Sequence, residues 1–131
     1  MIGLVLVTHA GLADELLAAA EMIVGKIALA EVVGIKADAT VDGIMAAITG
    51  SIEKVSGEGV IIMTDMFGGT PSNMSLSFLE ENKVEVLTGV NLPMVIKFAT
   101  ERTGTGVSEL AYKLKECGME SISVAGEYLK K

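Results

Sequence analysis

Aromatic residues make up only 4% of the 131 residues, and tryptophan is absent. That scarcity disfavours the ring-stacking platforms on which single-stranded nucleic acid is bound. Basic residues are also few, with 10 Lys and Arg against 17 Asp and Glu and a formal net charge of -7. Binding a phosphate backbone needs a basic footprint, so nucleic acid is excluded as a partner. Cys117 is the only cysteine, which rules out an internal disulfide and a Cys-based zinc site. His9 is the only histidine, which removes multi-His metal sites. Neither a metal nor a cofactor is therefore expected. Long apolar runs are missing too. A membrane span needs about 20 predominantly apolar residues. The stretch from Met1 to Ala13 is uncharged, but it already holds Thr8 and His9, and Asp14 and Glu15 end it. No basic segment precedes Ile2–Val7, as a signal peptide would require. A cytoplasmic protein without membrane insertion is expected.

What the chain does have is aliphatic. Hydrophobic residues make up 50%, and the mean hydropathy is +0.55. The length suits one domain over residues 1–131, since domains usually run to about 100–200 residues. The surplus of apolar residues hints at a buried interface with another subunit.

The hydrophobic period alternates between short runs and helical spacing. Ile2–Val7, Leu29–Ile35, Val60–Thr64 and Val84–Leu87 read as strands, the first and third as continuous apolar runs buried on both faces. Helical spacing connects Leu12, Leu16, Ala19, Ala20 and Ile23, with Gly25 as a stop, and then Val41, Ile44, Met45, Ile48, Ile52 and Val55. Thr70 is placed to cap a helix with Pro71 at its first position, running to about Glu81. Gly89–Asn91 turns into a helix carrying Leu92, Val95, Ile96 and Ala99. A last helix holds Val107, Leu110, Ala111, Leu114 and Cys117, closed by Gly118. Ser121–Ala125 alternates like an edge strand. The order β-α-β-α-β-α-β-α-α-β implies an α/β fold. Its open, doubly wound and mainly parallel sheet would carry helices on both faces and an antiparallel C-terminal edge strand. In such sheets chemistry sits beyond the carboxyl ends of the strands.

Three loops share that rim: Thr8–Gly11, Asp65–Asn73 and Gly89–Met94. His9 follows the first strand at the amino end of a helix, where an anion is favoured. A packing or capping role is the ordinary fate of a lone histidine, but Asp65 on the neighbouring loop is a possible orienter. A neutral imidazole can attack phosphorus with one nitrogen while a carboxylate holds the N–H of the other. Gly68 and Gly69 permit close backbone approach to a ligand. Thr70, Ser72 and Asn73 supply donors, so the turn could cradle a phosphoryl group. Its bland reading is a tight turn with a capped helix. Met66, Phe67 and Met94 are either core or an apolar rim for a docking protein. Glu80, Glu81 and Glu85 read as a solvated face, and Lys130 and Lys131 as a tail.

Over essentially its whole length the chain resembles the EIIA domain of the mannose family of the bacterial phosphoenolpyruvate-dependent sugar phosphotransferase system. The resemblance rests on the apolar first strand running into Thr8-His9-Ala10-Gly11, on Thr64-Asp65-Met66-Phe67-Gly68-Gly69-Thr70-Pro71-Ser72-Asn73, and on Gly89-Val90-Asn91-Leu92-Pro93-Met94. It implies that Nε2 of His9 carries a phosphoryl group, that Asp65 orients the ring through Nδ1–H, and that the Thr70 hydroxyl lies beside the phosphate. It implies a homodimer that exchanges its last strand, for which Ser121–Ala125 is the candidate. The donor would be the phosphocarrier protein HPr and the acceptor an EIIB protein, with peripheral association to the membrane permease through EIIB. No EIIB domain follows Lys131, so that partner is expected as a separate chain, and a regulatory role is an alternative to transport. A related group donates phosphate to a dihydroxyacetone kinase, but the Gly-Gly-Thr-Pro-Ser-Asn loop looks like the sugar-transport type. Two other readings compete: a receiver-like signalling domain phosphorylated on Asp65, and a non-catalytic module gripping a phosphorylated metabolite or a regulatory protein.

Overall fold

The computed structural model describes residues 1–129; the Lys130–Lys131 tail reading lies outside them. Four strands form one sheet: β1 (Gly3–His9), β2 (Ala30–Ile35), β3 (Val60–Thr64) and β4 (Val84–Thr88). Their order is β2-β1-β3-β4, and each neighbouring pair is parallel. The two central strands carry the continuous apolar runs. Leu4 to Val7 and Ile61 to Met63 are fully buried, because helices cover both faces and leave no side for water. The edge strands β2 and β4 are mostly half-buried.

Successive side chains of a strand point to opposite faces, and two cores result. Leu4, Leu6, Ile61 and Met63 pack on one face with Ala13 and Ala20 of α1 (Leu12–Val24), Val95 and Phe98 of α4 (Leu92–Glu101), and Leu110 and Leu114 of α5 (Val107–Glu120). Val5, Val7, Val60 and Ile62 pack on the other face with Ile44, Ile48 and Val55 of α2 (Val41–Val55). The short α3 (Thr70–Leu76) lies on this second side, where Met74 joins the same cluster.

Arg102 closes the amino-terminal edge of the sheet, a role the sequence did not announce. Its Nε and Nη2 donate to the Ile2 carbonyl at 3.0 and 2.8 Å, and Nη2 also reaches the Leu29 carbonyl at 3.4 Å. The guanidinium sits 4.7 Å from the centre of the Phe98 ring. Burial lowers its pKa from the ordinary value.

Several boundaries differ from the sequence reading. The helix after Pro71 ends at Leu76 rather than near Glu81. The Ser75 hydroxyl donates to the Pro71 carbonyl at 2.6 Å and that of Ser77 to the Met74 carbonyl at 2.8 Å. Side chains that compete in this way favour helix ends. Thr70 is the first helical residue and not the cap, which is Gly69, with no side-chain cap bond. The last long helix continues through Gly118 to Glu120. Ser121–Ala125 does not form an antiparallel edge strand: Ser121–Val124 is irregular, and Ala125–Leu129 is a short helix, α6. A strand needs an edge to pair with, and this exposed segment pairs with none of the four strands.

Candidate functional site

In the order β2-β1-β3-β4 the chain moves outward from β1 in both directions. The switch point of the sheet therefore lies between the carboxyl ends of β1 and β3. The pairing register puts Val7 opposite Thr64. His9 ends β1 and Asp65 follows β3, so the fold delivers the two side chains to one place.

Asp65 grips His9 twice. Its Oδ2 accepts the backbone N–H of His9 at 2.9 Å and lies 2.8 Å from the ring Nδ1. The exposure of the two side chains is unequal: 12% for Asp65 and 51% for His9. Burial raises the Asp65 carboxyl, but the His9 backbone N–H, the ring hydrogen bond and the charge of His9, with Asp65's own backbone N–H, outweigh it. The net effect holds Asp65 below its ordinary value and keeps it ionised at neutral pH. A carboxylate only accepts hydrogen bonds, so Nδ1 must carry the proton. In the neutral ring the lone pair is then on Nε2 of this half-exposed side chain. The arrangement offers a nucleophilic nitrogen with a fixed tautomer and a carboxylate placed to offset positive charge on the ring.

The glycine loop closes on that ring. A Cβ at Gly69 would meet His9 Cε1 at 2.9 Å and Nε2 at 3.5 Å, so only a glycine lets the backbone pass so near. Gly68 has φ +87°, a left-handed turn. Asn73 Nδ2 donates to the Gly68 carbonyl at 3.4 Å and the Asn73 N–H to the Gly69 carbonyl at 2.9 Å, which ties the loop to α3. Thr70 is exposed at the start of α3. Ser72 differs from expectation, because it is fully buried and its Oγ has no hydrogen-bond partner among the described residues. Its hydroxyl is thus not among the surface groups of the loop.

Of the three residues read as a docking rim, two are on the surface. Met66 is 54% exposed and Phe67 74%. Met94 is not: at 3% exposure it belongs to the core. A Cβ at Gly118 would meet its Sδ at 2.6 Å, so α5 passes close over the first turn of α4 at a glycine. Asn91 fixes that crossing, accepting the Met94 N–H at 3.3 Å and donating to the Gly118 carbonyl at 3.0 Å.

Two further features went unread in the sequence. Ala10 adopts φ +50°, a left-handed turn directly after His9. Such a conformation is costly for a residue with a Cβ. The Ala10 N–H is held by the Ile35 carbonyl at 2.9 Å. Gly34 leaves room for the Ala10 carbonyl, which any Cβ there would strike. Thr8 is fully buried, and its Oγ1 accepts the Ala13 N–H at 2.7 Å, supplying the side-chain cap that Gly11 cannot give to α1. The threonine immediately before the only histidine was the available signal.

Comparisons with known proteins identify the family to which this chain and fold belong. The profile of the EIIA-man family, described as PTS system fructose IIA component, matches residues 3–115. The sorbose-specific EIIA component of Lacticaseibacillus casei is 30% identical over 124 residues, covering 92% of this chain and 90% of that protein. The fructose-specific EIIA component of Bacillus subtilis is 34% identical over 73 residues, which span 55% of this chain and 50% of that protein, so the match reaches about half its length. Among solved structures, the phosphotransferase system component EIIA from Streptococcus agalactiae superposes with a TM-score of 0.88 at 25% identity, covering 97% of this chain and 99% of that one. The mannose/sorbose-specific IIA subunit from Enterococcus faecalis does so with a TM-score of 0.83 at 30% identity, covering 93% and 92%. The chain belongs to the mannose-type EIIA family of the sugar phosphotransferase system.

Proposed function

We propose that the chain is a phosphoryl carrier, accepting a phosphoryl group from phospho-HPr on Nε2 of His9 and passing it to an EIIB protein. The observation that carries this reading is the double grip of Asp65 Oδ2 on the His9 backbone N–H and on Nδ1. In the first transfer the Nε2 lone pair attacks phosphorus, the bond from phosphorus to the donor nitrogen breaks, and that nitrogen keeps the electron pair. The imidazole of His9 becomes positively charged as its new N–P bond forms, while Nδ1 keeps its proton. Asp65 stabilises that charge at 2.8 Å. The second transfer runs the same step in reverse toward the EIIB acceptor. Positioning and electrostatic stabilisation are the protein's contribution. Gly68, Gly69 and Thr70 are the loop groups that would face the phosphoryl oxygens, and Met66 and Phe67 the apolar surface that docking would cover. A donor and acceptor of this kind place the protein in the cytoplasm, with any membrane contact made through EIIB.

Phosphorylation on Asp65 itself is the weaker reading, because Oδ2 is occupied by His9 and Oδ1 is buried. Incubation with phosphoenolpyruvate, enzyme I and HPr, followed by intact-mass measurement, separates the possibilities. One phosphoryl group is expected on the wild type, labile to acid and stable to alkali, and none on His9→Ala. Full labelling of His9→Ala, or an adduct cleaved by alkali as an acyl phosphate on Asp65 would be, overturns the reading.

A homodimer belongs to the same proposal. Ile122 is 77% exposed, Val124 64%, Tyr128 65% and Leu129 84%. This apolar segment follows α5, and β4 is an open sheet edge. A second copy that exchanges the segment would cover both. A stable monomer at micromolar concentration in sedimentation would refute the dimer.

A further inference from the structure

We infer that Thr8 is a positioning residue for the phosphoacceptor, acting through the peptide of His9. The inference rests on His9 being that acceptor. Asp65 Oδ2 takes two N–H groups from one residue, one on the backbone and one on the ring. Both bonds close only when the peptide entering His9, which carries that N–H, and the His9 side chain are oriented together. The backbone dihedrals of His9 relate that peptide to the one leaving it, so holding the leaving peptide helps to fix both.

On one side stands Thr8, fully buried, with a single hydroxyl that spans the turn. That hydroxyl donates to the His9 carbonyl at 3.2 Å and accepts the Ala13 N–H at 2.7 Å. It thereby links the peptide that leaves His9 to the first turn of α1. On the other side the left-handed Ala10 is held to β2 through Ile35 and seated against Gly34. The turn is clamped from both neighbours, and the Thr8 hydroxyl is the one side-chain polar group in the clamp. Ala13 is itself fully buried. Loss of the hydroxyl would leave its N–H without a partner and the His9 carbonyl free to turn, and an unpartnered buried donor is costly enough to drive such a shift. A small misplacement of a reacting group can cost on the order of a hundredfold in rate.

The test compares Thr8→Val, which keeps the shape and removes the hydroxyl, with Thr8→Ser, which keeps the hydroxyl. His9 is the only histidine, so its ring nitrogens can be read directly by 15N NMR on the full chain without any phosphoryl donor. In the wild type Nδ1 should be the protonated nitrogen. Thr8→Val should shift the ring toward a mixture of tautomers and slow phosphoryl uptake from phospho-HPr roughly tenfold or more. Thr8→Ser should restore both. A folded Thr8→Val protein with the wild-type ring spectrum and rate overturns the inference, whatever its melting temperature. So does a Thr8→Ser protein as disturbed as Thr8→Val, and that variant decides the matter if Thr8→Val does not fold. The ring spectrum stands apart from the functional reading. A wild type that takes up no phosphoryl group would sink the carrier proposal and leave the effect of Thr8 on the ring legible.

Discussion

Replacing Asp65 by Asn keeps the shape of the side chain and removes its charge. In the native site Oδ2 accepts two N–H groups of His9, at 2.9 and 2.8 Å. Hydrogen bonds to a charged partner contribute about 1.5–3 kcal/mol and neutral ones about 0.5–1.5 kcal/mol, so the ring bond weakens by about 1–2 kcal/mol. The bond to the ring is the one that strengthens as positive charge builds on it during transfer. If the whole loss falls on the transition state, the rate drops roughly 5- to 30-fold, since about 1.4 kcal/mol is tenfold. Asp65→Ala, which removes the acceptor altogether, should lose on the order of 10- to 150-fold. Single-turnover transfer from phospho-HPr in a rapid-quench instrument measures the step. The same substitution has an acid-stability signature. The Asp65 carboxyl is held below its ordinary value in the fold by His9, against the opposing effect of burial. Its contribution to stability is thus complete above the unfolded carboxylate value, about 3.9, and fades as pH falls through the lower folded value. The melting-temperature gap between wild type and Asp65→Asn should be widest near neutrality and narrow below about pH 4. An Asp65→Asn protein that transfers at the wild-type rate would refute the role given to the carboxylate.

Gly69→Ala tests the loop. The backbone at this position has φ -87°, which alanine adopts freely, but the new Cβ would press on His9 Cε1 at 2.9 Å. Phosphoryl uptake should fall at least tenfold with little change in melting temperature, whereas an unaffected rate would show that the loop does not crowd the ring. Phe67→Ala should raise the concentration of phospho-HPr needed for half-maximal rate and leave stability within about 0.5 kcal/mol, as removing an exposed side chain does. Met94→Ala should do the reverse, costing about 2–5 kcal/mol in urea unfolding as a core truncation without changing docking. Arg102→Leu leaves the Ile2 and Leu29 carbonyls without their cation and should destabilise by about 2–4 kcal/mol, with transfer at His9 intact well below the melting temperature.

Much of the fold was legible because the two hydrophobic periods are clean. The buried runs of β1 and β3 could hardly be anything but central strands, and their neighbours then fixed which loops share a rim. His9 and Asp65 followed from that topology, since both sit just past a central strand. Local chemistry was harder to read. Thr70 looks like a cap in the sequence, yet Gly69 takes that place with an extended backbone, and its Cα lies against the imidazole. Met94 reads as either core or rim beside a turn, and it is core because Gly118, distant in sequence, lets α5 close over it. Thr8 and Arg102 act through backbone groups of other elements, at Ala13 for one and at Ile2 and Leu29 for the other. Neither pairing leaves a periodic trace. The alternation in Ser121–Ala125 is real, but alternation alone makes no strand without an edge beside it.

In the proposed carrier, Asp65 holds the proton on Nδ1 and thereby reserves Nε2 for phosphorus. Combined 15N and 31P NMR of the phosphorylated wild type tests it most directly. A phosphoryl group bonded to Nε2 of His9, with Nδ1 still protonated against Asp65, is the expected result. A phosphoryl group on Nδ1 or on the Asp65 carboxylate would contradict it.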